Sequence, residues 1–362
     1  VPGVGVSAGT APALVPVRVM MSGPGERWDS TGWDDYVRGH PAASLYHEAV
    51  FRGLLTDVLG HRTYYLTALT DQGTVAGVLP LARLRSPMFG DFLVSLPCFN
   101  YGGALADGGA VTDRLMAAAV DLGGQLGVDH AEFRDLALLD GDWPVRTDKV
   151  VMHLALPDDP DTLWKTFGSK LRAQVRRPLK GGASVHSGGV EQLDDFYAVF
   201  ARNMRDLGTP VYPRRWFRRL CEGLGERAHI LVVRVDGVPA AAGLLLRHRG
   251  VMEIPWASSD RRYNHLGVNM LLYWEALRLS VEQGARTFDF GRSTVDSGTY
   301  RFKRQWGAEP VPLYWHYWLP EGGTLPGLNP DNPRFRRAIR LWQRLPLPMA
   351  NWLGPRVVRY LP

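Results

Sequence analysis

The chain has only two cysteines, Cys98 and Cys221, in 362 residues. They are far apart and in unlike surroundings. That excludes a disulfide scaffold and a thiolate metal site, and it fits a reducing cytoplasm. No histidine motif accompanies Cys98, so its thiol reads as buried packing and not as a nucleophile. No apolar run approaches the roughly 20 residues needed to cross a bilayer. The ten histidines show no metal-ligand spacing, and no metal is implied. The opening stretch VPGVGVSAGTAPALVPVRVM has no basic residues before its apolar ones, so it does not read as a signal peptide. Its Gly, Pro and Ala content predicts a disordered leader over residues 1–16.

Positive charge is what the chain has in excess. Forty-two Lys and Arg against 36 Asp and Glu give a net charge of +6. Such a surface suits anionic partners, whether nucleic acid, lipid headgroups or phosphorylated substrates. The excess is gathered in three runs: Lys170–Lys180, Arg214–Arg219 and Arg334–Arg344. Arg172 and Arg176 are one helical turn apart and share a face with Lys170 nearby, and Pro178 is expected to end that helix. The patch is either a phosphate site or a solvated basic face. In Arg334–Leu345, Phe335, Ala338, Ile339, Trp342 and Leu345 fall on one helical face and the arginines mostly on the other. This predicts a C-terminal basic amphipathic helix that either lies on an anionic membrane or packs on the protein.

The body of the chain repeats one pattern. Thr63–Thr70 and Val75–Leu84 flank a turn and read as a hairpin. A loop through Pro97–Gly103 follows, then a helix near Thr112–Leu126, a glycine, and a strand His130–Phe133 ending in Arg134-Asp135. In the second half, His229–Val235 and Val238–Arg247 form the hairpin and Met252–Ala257 adds a strand. Val268–Gln283 is the helix, Gly284 its cap, and Phe288–Phe290 a strand ending in Gly291-Arg292. The pattern predicts a duplicated α/β unit with mixed sheets, divided between Lys149 and Leu163.

The run DFGRSTVDSGTYRFKRQWG, Asp289–Gly307, carries the densest chemistry. A strand is expected to break at Gly291 and release Arg292, Tyr300, Lys303 and Arg304 beside a cleft. A lysine among aromatics such as Phe302 and Trp306 acts more strongly on a nearby oxyanion. The alternative is a solvated loop. For Arg292 the alternative is an ion pair with Asp289 or Asp296. Asp289, Asp206 and Glu253 are the candidate bases, Glu253 in a strand facing the cleft. Arg205-Asp206 reads equally as a local ion pair. Asn100 and Tyr101 fall where the first cleft should open, or in a turn that needs Gly102 and Gly103.

The order of elements resembles the GNAT acyltransferase fold, although Asn264–Asn269 is a poor match to its phosphate loop. The blocks FNYGG (Phe99–Gly103), SKLRAQVRRPLKGG (Ser169–Gly182), NMRDLGTPVYP (Asn203–Pro213), NMLLYW (Asn269–Trp274) and FDFGRSTVDSGTYRFKRQWGAEP (Phe288–Pro310) resemble FemAB-like transferases, specifically the subgroup associated with exosortase/PEP-CTERM sorting. The resemblance implies tandem GNAT-like domains, at 17–155 and 156–325, with a helical tail at 326–362. It also implies transfer of an aminoacyl or acyl group to an amine of a cell-envelope or exopolysaccharide precursor, with Phe302-Lys303 where donor and reacting carbonyl meet. On that reading Lys303, Asp289 and Arg292 are catalytic. Phe302, Tyr300, Asn100, Tyr101, Arg205, Asp206, Glu253, Asn269, Lys170, Arg172 and Arg176 bind substrate. No cofactor is tightly bound. The donor is aminoacyl-tRNA, or acyl-CoA or acyl-carrier protein, and the acceptor a small or lipid-linked amine. The expected location is the cytoplasm, including the inner face of its membrane. A non-enzymatic module binding envelope glycan or peptide is the remaining alternative.

Overall fold

The computed structural model describes residues 17–86, 89–326 and 333–361. The expected leader at 1–16 lies outside them. Two mixed sheets form the frame. The first runs, in spatial order, Val17–Ser22, Arg62–Thr70, Val75–Ser86, Gly90–Val94, His130–Asp135, Tyr314–Trp318 and Val145–Arg146. The second runs Glu309–Pro312, Lys149–Ala155, Thr287–Thr294, Val251–Ser259, Val238–His248, Ala228–Val235 and Ala183–Gly188.

The repeat is present in both. Each half has an antiparallel hairpin, a third strand, a crossover helix and a strand parallel to the third. Helix Gly109–Leu126 joins Gly90–Val94 to its parallel partner His130–Asp135. Helix Val268–Glu282 joins Val251–Ser259 to its parallel partner Thr287–Thr294. The strand Gly90–Val94 falls just before the expected loop and completes the first copy. Gly284 follows the second helix in the left-handed region, φ +73°, as its capping role requires.

The expected division at residue 155/156 is crossed in both directions. Lys149–Ala155 leaves the first half and pairs with Thr287–Thr294 in the second sheet. Tyr314–Trp318 leaves the second half and pairs with His130–Asp135 in the first. The two halves therefore exchange a strand each. The polar sequence LPDDPD obscures the crossing, because it comes directly after the exchanged strand and before helix Pro160–Thr166, which Asp159 caps.

Each sheet packs its crossover helix on one face, in separate cores. A third core spans the halves, joining Tyr46, Phe99 and Tyr317 to Phe217, Leu244 and Trp256. Helices Leu193–Leu207 and Arg214–Leu224 fill it. Phe196, Phe200, Trp216 and Phe217 are at most 2% exposed. Burying such a side chain is worth about 1.5–3 kcal/mol.

Pro178 does not end its helix, which runs Ser169–Lys180 to Gly181. In the last turn the ring forfeits a single backbone bond, and two further residues are tolerated. The C-terminal stretch forms two helices, Pro333–Gln343 and Leu347–Val358. In the first, Ile339 and Trp342 turn toward the protein, and a Cβ at Gly208 would meet Ile339 at 2.5 Å. The face expected to enter a membrane is therefore spent partly on the end of helix Leu193–Leu207. The side chains of Arg334 and Phe335 lie outside the described residues.

Candidate active site

The parallel ladder of the second sheet is short. Val251, Met252 and Glu253 pair with Thr287, Phe288 and Asp289, and beyond that the strands separate. Two carboxylates thus face each other at the last rung. Glu253 is 5% exposed and Asp289 fully buried. Burial, and then the charge of Asp289, pushes the Glu253 carboxyl well above its usual range. Like charges this close cannot both be ionised cheaply.

The first half supplies two phenols to this gap. Tyr46 Oη donates to Glu253 Oε2 at 2.5 Å, and Tyr101 Oη donates to Asp289 Oδ2 at 3.1 Å. Burial raises both phenols well above their ordinary value, so both remain donors. Glu253 Oε1 is buried without a hydrogen-bond partner. His153 Nε2, from the exchanged strand, stands 3.3 Å from Asp289 Oδ2.

The strand does not break at Gly291. It continues to Thr294 through a bulge between Asp289 and Arg292, with Gly291 at φ +75°. Glycine permits that conformation without steric cost. Asp289 Oδ1 accepts from the Gly291 amide at 2.7 Å. Lys303, from helix Gly298–Arg304, donates to the carbonyls of Gly291 and Arg292 at 2.9 and 2.8 Å. It is 7% exposed, so the solvated-loop alternative fails for it. Two of its three N–H groups are committed to the bulge, and one remains. Burial lowers the ammonium from its ordinary 10.5 to about 8, with Asp289 and Glu253 opposing.

Arg292 pairs with neither Asp289 nor Asp296. Its exposed guanidinium lies 5.1 Å from the Trp315 ring, and Arg134 packs on the same indole at 4.4 Å. Arg134 and Arg292 are the equivalent arginines of the repeat, so the duplication brings both to one aromatic surface. They differ in their partners: Arg134 is held by Glu132 at 2.7 Å, whereas Arg292 has no ion pair among the described residues. Asn100 joins this corner, its carbonyl accepting from Trp315 Nε1 at 3.3 Å.

Tyr101 also lines a cavity of about 220 Å³ in the first half, with Gly102, Gly103, Arg134, Asp135 and His47. The turn there does require its glycines. A Cβ at Gly103 would meet Asp135 Oδ1 at 1.7 Å, and one at Gly102 would meet Leu96 at 2.3 Å. The turn reading of FNYGG holds, and Tyr101 stands on the wall of the cavity beside it.

The remaining expected residues are placed elsewhere. Phe302 packs edge-on against Tyr273, centroids 4.9 Å apart, and the Tyr300 amide is capped by Ser297. Asn269 sits in the first turn of helix Val268–Glu282. Lys170 and Arg176 are exposed on helix Ser169–Lys180, Arg176 lying over Trp164, and Arg172 is half-buried there. Arg205 pairs with Asp206 at 2.7 Å and donates to the Leu345 carbonyl at 3.0 Å, tying down the C-terminal helices. Tyr46, His153 and Trp315 join the site without having been anticipated. Tyr46 lies in a three-residue turn, and the other two arrive on the exchanged strands, so no local pattern marks them. Among the described residues, no group of three or more His, Cys, Asp or Glu could hold a metal ion.

Against known proteins, residues 169–304 match the family described as an acetyltransferase (GNAT) domain. The whole-chain architecture is similar to the crystal structure of FemX, with TM-score 0.61, 14% identity, and coverage of 82% of this chain and 96% of that one. It is also similar to a tandem GNAT protein from the clavulanic acid biosynthesis pathway, with TM-score 0.51, 13% identity, and coverage of 85% and 100%. The fold is a tandem GNAT fold. A curated relative, the UDP-N-acetylmuramoylpentapeptide-lysine N(6)-alanyltransferase of Weissella viridescens, is 22% identical over 162 residues, 42% of this chain. The match spans about half of that relative's length, 47%. In this tandem GNAT arrangement the buried acid pair lies in the second copy, on the strands either side of its crossover helix.

Proposed function

We propose that the protein is an N-acyltransferase of the FemAB-like kind. It transfers an aminoacyl or acyl group to an amine on a cell-envelope precursor, peptidoglycan or exopolysaccharide. The second setting is the one implied by the resemblance to the exosortase-associated subgroup. The observation that carries this reading is the buried group Glu253, Asp289, Tyr101, Tyr46 and Lys303 at the point where the parallel strands of a GNAT sheet part.

The amine attacks the donor carbonyl directly. A C–N bond forms, the acyl C–O bond of an aminoacyl ester breaks, and the departing hydroxyl takes a proton. The free N–H of Lys303 faces the oxyanion of the tetrahedral intermediate, and its two bulge contacts fix its direction beforehand. The polar group around Asp289 receives the proton of the attacking amine. Arg292, a cation without an acidic partner, holds a phosphate of donor or acceptor. Aminoacyl-tRNA is the favoured donor, acyl-CoA or acyl-carrier protein the other, and the reaction belongs to the cytoplasm or its membrane face.

The test supplies alanyl-tRNA or acetyl-CoA together with a UDP-linked muramoyl pentapeptide, and reads the new amide by mass spectrometry. Product from alanyl-tRNA supports the reading. Product from acetyl-CoA alone moves the donor to the acyl-CoA class. No amide from either donor, on this or amino-sugar acceptors, overturns it.

A further inference from the structure

We propose that the C-terminal helical pair is a docking surface for an anionic lipid bilayer. Residues 333–362 contain seven arginines and no Asp or Glu. A segment so one-sided in charge is drawn to a surface of opposite sign. Its apolar groups make that surface a bilayer.

Helix Leu347–Val358 has two unlike faces. Ala350, Gly354 and Val358 are buried, and Gly354 lies so close to Val211 that a Cβ would meet its amide nitrogen at 2.8 Å. On the opposite face Met349 is 50% exposed and Trp352 is 61% exposed. All 12 tryptophans lie within the described residues, and Trp352 is the single exposed one. Arg356 stacks on its ring at 4.1 Å. Helix Pro333–Gln343 adds Leu341, 66% exposed, beside the exposed Arg337, Arg340 and Arg344. Indole and guanidinium together suit the headgroup level of a bilayer, with Leu and Met entering the acyl boundary.

The outward stripe continues one turn to Arg359, which lines a cavity of about 210 Å³ with Arg62, Arg83, Arg85 and His61. Arg83 is held by Asp91 at 2.7 Å, whereas Arg62 and Arg359 form no ion pair among the described residues. The cavity offers a place for a lipid phosphate beside the inserted side chains. RNA would satisfy the arginines but would leave Leu341 and Met349 in water. The proposal does not depend on the acyl-transfer reading.

The test is sedimentation of the full chain with phosphatidylcholine vesicles, and with vesicles in which part of that lipid is replaced by phosphatidylglycerol. Binding is expected to the anionic vesicles only, weakened by salt. At about 1 kcal/mol per arginine, the triple change Arg337→Gln, Arg340→Gln, Arg344→Gln lowers partitioning about 100-fold. Trp352→Ser and Leu341→Ser each lower it too, with unchanged thermal melts showing that the fold is kept. The fluorescence of the wild-type chain shifts to the blue on binding, and Trp352→Phe removes the shift. No binding to anionic vesicles, or variants that bind like the wild type, would overturn the proposal. So would retention of tRNA that depends on the arginines while Trp352→Ser has no effect on either partner.

Discussion

The two halves of the molecule place charge at the same point of the same fold and treat it in opposite ways. In the first, the parallel ladder ends at Val94 and Glu132. Glu132 is neutralised at once: Arg134 donates to it at 2.7 Å and Tyr317 at 2.7 Å. The loop after Val94 folds back into the gap, Ser95 and Gly102 donating to the carbonyls of Glu132 and Arg134 at 2.9 Å each. In the second half the ladder ends at Glu253 and Asp289, and among the described residues neither carboxylate pairs with an arginine. Phenols from the first half, His153 and one buried lysine are their company. Duplication has left one copy closed and compensated, and one copy with polar groups under electrostatic stress. Perturbed groups of the second kind collect at functional sites, whereas the first copy gives the second its tyrosines.

That contrast predicts different failures for matched substitutions. Arg134→Met leaves the buried Glu132 charge without its cation, at a cost of about 3–5 kcal/mol. Denaturant melts should show the loss in full. A loss below about 1 kcal/mol would mean that the first copy is not held by this pair. Lys303→Met removes the ammonium from the second copy. Turnover should fall about 100- to 1000-fold, the range for one lost oxyanion donor. Wild-type turnover should decline as pH rises through about 8, where Lys303 loses its proton. The stability contribution of Lys303 has the opposite sign. Its folded value lies below its ordinary 10.5, so the unfolded chain binds more protons between about 8 and 10.5, and stability rises with pH there. An activity profile flat across pH 8 would separate Lys303 from the chemistry.

Tyr46→Phe tests the link between the copies. It strips the donor from Glu253 Oε2 in a fully buried setting, which costs about 1–3 kcal/mol. The outcome is read as a lowered melting temperature, and an unchanged melt would show that the contact across the halves is dispensable.

Much of the repeat was legible because hairpins, amphipathic helices and capping glycines are local signals. Thr63–Thr70 and His229–Val235 are rich in β-branched or aromatic residues and are followed by turns, and Gly284 marks its helix end. What was not legible is non-local. Lys149–Ala155 carries no sign that its partner lies more than a hundred residues away. The bulge at Gly291 looks, in sequence, like a strand end, because a glycine after alternating residues marks either. Lys303 and Glu253 could be picked out by type and neighbourhood. Their meeting with Tyr46 and Tyr101 depends on how the two sheets pack, which no spacing encodes. The terminal helix was legible as a helix, yet Ile339 from the expected apolar face turns toward the protein, and the exposed apolar groups of this region include Leu341, Met349 and Trp352.

The smallest expected effect is the most diagnostic. If burial and Asp289 keep Glu253 protonated at neutral pH, then Glu253→Gln replaces one neutral group by another of the same shape. The amide oxygen can still accept from Tyr46. In acid, below the ordinary value of 4.5 where folded and unfolded chains both carry the proton, stability should change by about 1 kcal/mol or less, and above it the variant should be the more stable. The pH dependence should change more. A carboxyl held above its ordinary value of 4.5 makes the folded chain bind the extra proton as pH rises past that value, so its contribution to stability falls with pH. Glu253→Gln removes that slope, and melts across the acid-to-neutral range should flatten. The matched change in the first copy, Glu132→Gln, takes away the buried carboxylate partner of Arg134 and should cost several times more. Equal costs for the two glutamines would erase the distinction between a compensated copy and a stressed one.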